Sequence, residues 1–413
     1  MKRRDFLRLG AALSVSGCAA PSSGARARVV VIGGGYGGAT AAKSLAVAEP
    51  GIEVTLVEPA EAFVSCPLSN LVVGGSRTLK DITRSYEGLA KHGVRRVQDV
   101  ATAVDPGKRT VSLARGSPLP YDRLIVSPGI DFLLDEVEGF AAAQDSILHA
   151  WKAGPQTEAL RRRLEAMPDG GVYVLAIPLL PYRCPPAPYE RACQVAGYFR
   201  RAKPRAKVLV LDANQEVVSE AVHFQRAWAE LYKGIVEYRP NSGVVGVEAG
   251  AVRTDFETVK GDVLNVVPPQ RAGDIAAQAG LITHNRRWCA VDWRTMASTA
   301  VPLVHVLGDA TLPASAMPKS GHMAHSQAKV CASAVADLLR GREPDPQPSM
   351  ASTCYSYLSD TEAVHLSSVH RYDPVQKTMV AVKGATTVSA ARSQKEAADG
   401  WRWARNIWAD MLD

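Results

Sequence analysis

Short, largely apolar runs punctuate the first three quarters of the chain. Arg28-Val-Val-Val-Ile32, Glu53-Val-Thr-Leu-Val57, Gly171-Val-Tyr-Val-Leu-Ala-Ile177 and Lys207-Val-Leu-Val-Leu-Asp212 are too short for helices. Their near-continuous hydrophobicity predicts strands buried on both faces of a parallel sheet. The first run passes into Gly33-Gly34-Gly35-Tyr36-Gly37-Gly38 and then an Ala-rich segment ending at Ala48, a strand–turn–helix pattern. A second helix is expected from about Gly321 to Leu339. Beyond it the pattern changes. Gly341 to Pro348 is a Pro-rich linker, Glu362–Val369 and Thr378–Val382 predict antiparallel strands, and a helix carrying Trp401, Trp403 and Trp408 closes the chain. The expected class is α/β, with two dinucleotide-binding, Rossmann-like domains and a small α+β C-terminal domain.

Composition narrows the function classes. At 46% hydrophobic and 22% charged the chain has ordinary globular usage, which excludes a disordered or fibrous protein. No apolar run approaches the ~20 residues a bilayer span needs, so no transmembrane segment is expected. The formal charge is +7, but Lys2, Arg3, Arg4 and Arg8 against Asp5 supply +3 of it. The remainder is too small, and too dispersed, to imply nucleic acid. Seven cysteines are too sparse for a disulfide scaffold, and no C-x-x-C pair is present, so no metal site is expected. The absence of C-x-x-C-H also means that no c-type haem attaches to this polypeptide.

Arg3-Arg4-Asp5-Phe6-Leu7, followed by the weakly apolar Leu9 to Gly17, reads as a twin-arginine export signal. Residues 1–26 are assigned to it, and the expected location is the periplasm. Val15-Ser16-Gly17-Cys18 resembles a lipobox, which leaves two readings for Cys18: a lipid-carrying thiol, or a residue removed with the signal.

The Gly33–Gly38 turn is G-x-G-x-x-G in its proper setting. Gly33 makes the tight turn, Gly35 lets a pyrophosphate approach the backbone, and Gly38 lets helix and strand pack closely. Glu58, at the end of the second strand, can bond ribose hydroxyls and repel a 2′-phosphate. Tyr121–Gly129 and Pro302–Ala310 resemble two later segments of flavoproteins with two dinucleotide domains, which implies FAD. In that resemblance Asp309 bonds the ribityl chain. The FAD domain is then 27–149 with 263–340, and the segment 150–262 between them is a second Rossmann-like domain. There the expected glycine turn is replaced by Pro178-Leu-Leu-Pro-Tyr-Arg-Cys184, with no glycine between Val172 and Gly197. Proline offers no amide to a phosphate, so this domain is expected to lack a nucleotide site.

Arg183-Cys184-Pro-Pro-Ala-Pro-Tyr-Glu190 is the most distinctive stretch, and with Ser352-Thr-Cys354-Tyr-Ser and Pro318-Lys319-Ser-Gly-His322-Met it makes the resemblance specific. From Ala27 to its end the chain resembles the flavoprotein subunit of flavocytochrome c sulfide dehydrogenase, in the sulfide:quinone reductase and disulfide-reductase-like group. The resemblance implies a redox-active Cys184–Cys354 disulfide beside the flavin, with Glu190 managing protons. It implies a thioether from Cys66 to the flavin, Lys319 near the flavin N1/C2 edge, Trp403 at the flavin edge, and a cytochrome-binding C-terminal domain over 349–413. Simpler readings remain for four of these: Cys184 and Cys354 as two unrelated buried thiols, Cys66 as a small buried residue with FAD held noncovalently, Glu190 as a first-turn helix acid, and Trp403 as helix-on-sheet packing. Ala187 departs from the family's turn, where Gly is frequent. The resemblance also implies a sulfide or polysulfide substrate and a separate c-type cytochrome subunit that carries the haem.

The expectation is therefore a periplasmic, FAD-dependent sulfide–cytochrome c oxidoreductase. Three alternatives stand beside it: a flavoprotein serving a thiosulfate-oxidising carrier system, a sulfide:quinone reductase, and an FAD-free assembly or binding protein.

Overall fold

Alternation within the apolar strands sorts their side chains into two cores, one on each face of a central sheet. This is seen in a computed structural model that describes residues 26–413; Cys18 and nearly all of the predicted export signal lie outside the described residues. Strand Arg28–Ile32 sits inside a seven-stranded sheet, parallel to Glu53–Val57 on one side and Arg123–Val126 on the other. Arg95–Val97 extends one edge, and Val304–Val306, from far along the chain, lies parallel to Arg123–Val126. Val29 and Val31 point into a core shared with helices Tyr36–Ala48 and Gly321–Leu339, whereas Val30 and Ile32 join Val104, Tyr121 and Leu281 behind the sheet. The two helices pack on each other, and Ala39, Ala42, Ala328 and Ala332 are buried in the core they share.

A four-stranded parallel sheet builds the second unit, in the order Val236–Arg239, Lys207–Asp212, Val172–Ile177, Val263–Val266. Helix Ala187–Ala202 follows its central strand and buries Tyr189, Cys193 and Phe199. In the third unit Ser349–Tyr357, Ala363–Asp373 and Thr378–Ala381 form an antiparallel sheet. Its long strand runs past the expected end at Val369, because Arg371 and Tyr372 continue the pairing with Val380 and Met379. Within the Tyr121–Gly129 segment the strand begins at Arg123, after Asp122, whose carboxylate accepts from the Arg28 amide (2.7 Å).

The C-terminal helix Gln394–Leu412 starts at Ser393, whose hydroxyl accepts from the Glu396 amide (3.1 Å). It drives Trp408, Met411 and Leu412 into the core of the first unit, each fully buried side chain contributing roughly 2–3 kcal/mol. The Trp408 indole N–H donates to the Tyr36 hydroxyl (3.0 Å). Among the described residues no helix is long and apolar enough to cross a membrane.

Candidate functional site

The Gly33–Gly38 turn is tight at its ends and open in its middle. Gly33 has φ +96°, and a Cβ there would lie 2.3 Å from the Ser127 carbonyl oxygen; on Gly38 it would lie 1.8 Å from the Gly33 oxygen. On Gly35 it would meet nothing within 4 Å. Gly35 also starts the helix without a side-chain cap, so the first-turn amides and the helix dipole suit an anion. Glu58 accepts from the Gly34 amide (2.6 Å) and the Ala60 amide (2.8 Å), bracing the turn from the end of its strand.

Asp309 lies in the short turn Gly308–Ala310 that follows strand Val304–Val306. Its Oδ1 is buried without a hydrogen-bond partner. Burial pushes its carboxyl above the usual range, against the pull of Arg183 and Lys319. An orphaned buried acceptor costs on the order of 1–3 kcal/mol, and a hydroxyl donor from a ligand would relieve it. Asp309, Gly308, Lys319, Ser320 and Met323 line one cleft. An open phosphate cradle at Gly35 and a polyol acceptor at Asp309 together fit a flavin dinucleotide.

The turn at Lys319–His322 gathers both candidate redox cysteines. The Cys184 amide donates to the Lys319 carbonyl (2.7 Å). From the other side the Ser352 and Ser320 hydroxyls bond each other (3.0 Å), and the Thr353 amide donates to His322 Nδ1 (2.9 Å). Cys184 and Cys354 are half-buried free thiols in this structure. Surrounding protein pushes Cys184 well above the ordinary thiol value, and Cys354 and Glu190 add to the shift while Arg183 opposes it. Cys354 is pushed up to about 12, first by burial and then by Glu220. Cys184 also holds φ +57°, a left-handed conformation that costs a non-glycine residue about 1–2 kcal/mol. Pro185 hinders the right-handed helical region at this residue, and the bond to Lys319 fixes the alternative.

Lys319 itself is tied beneath this turn. Its ammonium donates to the Asp309 carbonyl (2.8 Å) and the Thr311 carbonyl, and stands 3.6 Å from the centre of the Trp288 ring. Burial lowers its pKa to about 7. Cys66 lies across the cleft wall, where its sulfur accepts from Arg183 (3.3 Å) and the Ala153 amide (3.4 Å). Arg183 also donates to the Trp151 carbonyl. One guanidinium therefore touches Cys66 while its charge acts on both Cys184 and Asp309.

Glu190, in the first turn of helix Ala187–Ala202, is buried. It accepts from the Tyr357 amide (2.9 Å) and from Asn70 Nδ2 (2.6 Å). Burial raises it to about 7, those two bonds and Arg191 working the other way. Asn70 is held in turn by buried Arg191 (2.9 Å). The proton carrier expected from sequence is thus connected to the Cys66 segment through Asn70 and to the Cys354 strand through Tyr357.

Trp403 donates to His322 Nδ1 (3.3 Å) and packs 6.1 Å from Tyr355. The tryptophan that reaches the dinucleotide turn is Trp408, through Tyr36, whose hydroxyl also bonds Ser65 Oγ (2.7 Å) beside Cys66. The sequence pattern alone assigns no role to Arg183, Asn70, Tyr36 or Trp408. The Gly-Tyr-Gly spelling of the turn was the one available signal, since an aromatic there needs a partner.

In the second unit, Asp212 ends the strand where a nucleotide-binding domain would place its ribose acid. Here its Oδ2 accepts from the Tyr189 (2.7 Å) and Tyr238 (3.0 Å) hydroxyls, and its Oδ1 from Asn214 (2.7 Å). The carboxylate is fully buried, so its acceptor capacity is spent inside the protein.

Comparison with known proteins adds three family matches. Residues 157–268 match the central part of the sulfide dehydrogenase [flavocytochrome c] flavoprotein chain, and residues 346–412 the flavin-binding part of flavocytochrome c sulphide dehydrogenase. Residues 27–165 match the pyridine nucleotide-disulphide oxidoreductases. A flavoprotein chain of sulfide dehydrogenase [flavocytochrome c] from Chlorobaculum thiosulfatiphilum is 64% identical over 45 residues, 11% of this chain and 94% of that sequence. The mitochondrial sulfide:quinone oxidoreductase of Mus musculus is 26% identical over 308 residues, 70% of this chain and 66% of that protein. This chain thus spans just under two thirds of the mouse protein's length. A solved sulfide:quinone oxidoreductase from Aquifex aeolicus shares the fold, with a TM-score of 0.76 at 18% identity over 93% of this chain and 91% of that one.

Proposed function

The chain belongs to the family of flavocytochrome c sulfide dehydrogenase flavoprotein chains, and from that premise we propose that it oxidises sulfide through Cys184 and Cys354. The carrying observation is that one turn, Lys319–His322, bonds the Cys184 backbone on one side and the Ser352–Thr353 backbone and side chains on the other. In the oxidised enzyme the two sulfurs form a disulfide. Hydrosulfide, a soft anion, attacks one of them; the S–S bond breaks, leaving a persulfide on the attacked cysteine and a thiolate on the other.

Flavin, when bound, supplies a two-electron acceptor. Cys184 is the sulfur on its side, because its amide is hydrogen-bonded to Lys319, whose ammonium holds the Asp309 carbonyl. Cys354, two residues along its strand from Ser356, which bonds Glu220, is the sulfur that receives hydrosulfide. Glu190, raised to about 7, exchanges protons near neutral pH. Cys66 carries the flavin covalently, a c-type cytochrome subunit takes the electrons, and the location is periplasmic. The family matches support the cytochrome partner. The mouse and Aquifex relatives support quinone as the competing acceptor.

The test is anaerobic titration of the flavin protein with sulfide, followed by absorbance. Sulfide should bleach the flavin band of the unaltered protein and leave Cys184→Ser and Cys354→Ser oxidised. Bleaching that survives either substitution would overturn the assignment. Turnover with horse-heart-type cytochrome c against a soluble quinone analogue decides the acceptor.

A further inference from the structure

A second carboxylic acid faces Cys354, and the reaction just described leaves it without a task. Glu220 stands at the junction between the second unit's sheet and its helix Ala221–Glu230, with φ +53°. Its Oε2 accepts from the Ser356 hydroxyl (2.7 Å). Its Oε1 is buried with no partner. Ser352, Cys354 and Ser356 alternate along strand Ser349–Tyr357, so their side chains share one face. Cys354 is therefore flanked by the Ser352–Ser320 pair on one side and the Ser356–Glu220 pair on the other.

Glu190 is held by one N–H donor on each oxygen, from the Tyr357 amide and from Asn70. Glu220 has one hydroxyl partner and one free oxygen. We propose that Glu220 is the residue that takes the proton from the persulfide formed on Cys354. The inference rests on the sulfide-oxidising reading above. The step balances: hydrosulfide attacks the Cys354 sulfur, and the pair of the broken S–S bond goes to Cys184 as thiolate. The S–H proton of Cys354–S–S–H then moves to Glu220 Oε1, leaving Cys354–S–S⁻ and a neutral acid. No external oxidant enters.

The groups that face Glu220 are Cys354 on the strand and Glu190 on helix Ala187–Ala202, with His223 one turn along its own helix, where the His223 amide donates to the Glu220 carbonyl (2.9 Å). Burial and Glu190 together hold Glu220 at about 7, the Ser356 bond working against them. A carboxylate at that value can accept from the more acidic persulfide and release to water at neutral pH.

The test uses the flavin-loaded protein with Glu220→Gln, Glu220→Asp and Ser356→Ala. Sulfide-driven flavin reduction in E220Q should fall on the order of 10²-fold, and its limb near pH 7, to which Glu190 also contributes, should become shallower, with E220D restoring part of both. S356A should shift that limb without abolishing the rate, and it carries the test if E220Q does not fold. A second readout needs no turnover. In reduced protein, E220Q should bring the pH midpoint for alkylation of Cys354, followed by mass spectrometry, down by about one unit, because a neighbouring negative charge is gone. An unchanged pH profile with an unchanged Cys354 alkylation midpoint would overturn the proposal. So would a uniform loss of rate that keeps the limb and is not restored by E220D. If sulfide fails to reduce the unaltered protein, the parent reading falls and this one with it, a result distinct from E220Q behaving as the unaltered enzyme.

Discussion

Two alanines, three residues apart, should separate the architectural from the ligand-binding duty of the glycine turn. In Gly38→Ala the new methyl would begin 1.8 Å from the Gly33 carbonyl oxygen. A comfortable carbon–oxygen approach is roughly 3.3 Å, so the start of helix Tyr36–Ala48 would have to move out by about 1.5 Å. That helix packs against Gly321–Leu339, and overpacking of such a contact costs about 1–3 kcal/mol. Gly35→Ala meets no neighbour, and φ −71°, ψ −168° at Gly35 suits any residue. The stiffer unfolded chain gains about 0.4–1 kcal/mol, offset by alanine's poorer start to a helix, so the net change should lie within ~0.5 kcal/mol. Its methyl would instead occupy the approach to the pyrophosphate and weaken flavin binding by at least tenfold, about 1.4 kcal/mol. Both variants are made in a Cys66→Ser background, so that flavin can be dialysed away. Urea unfolding of the flavin-free protein and flavin fluorescence titration then give the two quantities. A Gly35→Ala protein that unfolds as easily as Gly38→Ala, or that binds flavin with undiminished affinity, would refute the division of labour.

Two further outcomes follow from the site. Glu190, raised from 4.5 to about 7 by burial, keeps its proton better in the folded than in the unfolded state. Its contribution to stability is therefore complete below pH ~4.5 and is lost as pH rises toward 7, on the order of 3 kcal/mol over that window. Buried His149 and His325, lowered to about 3 and about 4 by burial, impose the opposite slope. The measurement is thus the difference between unaltered protein and Glu190→Gln in urea melts at pH 5 and pH 8; parallel melts at both would dismiss it. For Cys66, acid precipitation should bring the flavin down with the polypeptide and Cys66→Ser should release it; flavin left in the supernatant by the unaltered protein would remove the thioether.

What could be read from the sequence was local. The strands Glu53–Val57 and Lys207–Asp212 and the helix Gly321–Leu339 occur with the bounds their apolar patterns suggest, because neighbours in the chain suffice to define them. The α/β architecture followed from the same runs and the glycine turn. The long-range partners were another matter. Arg183 reaches Cys66 across 117 residues, Ser356 reaches Glu220 across 136, and Trp408 reaches Tyr36 across 372. No periodicity announces such pairs, and Glu220 in particular has the ordinary look of an acid before a helix. Tyr189 and Tyr238 closing over Asp212 were equally hidden, although the prolines after Ile177 had already argued against a phosphate turn there.

The bond from Trp408 to Tyr36 sets an order of events in biosynthesis. The tyrosine of the turn that should cradle the cofactor is translated 372 residues ahead of Trp408, so Ser65 can brace it early but the indole cannot. Leu412 completes the arrangement: its carbonyl lies where a side chain on Gly88 would begin. Nascent protein therefore lacks a finished cradle until Trp408 and Leu412 have emerged. Clipping helix Gln394–Leu412 should therefore weaken cofactor binding at a turn whose tyrosine lies 372 residues away in sequence.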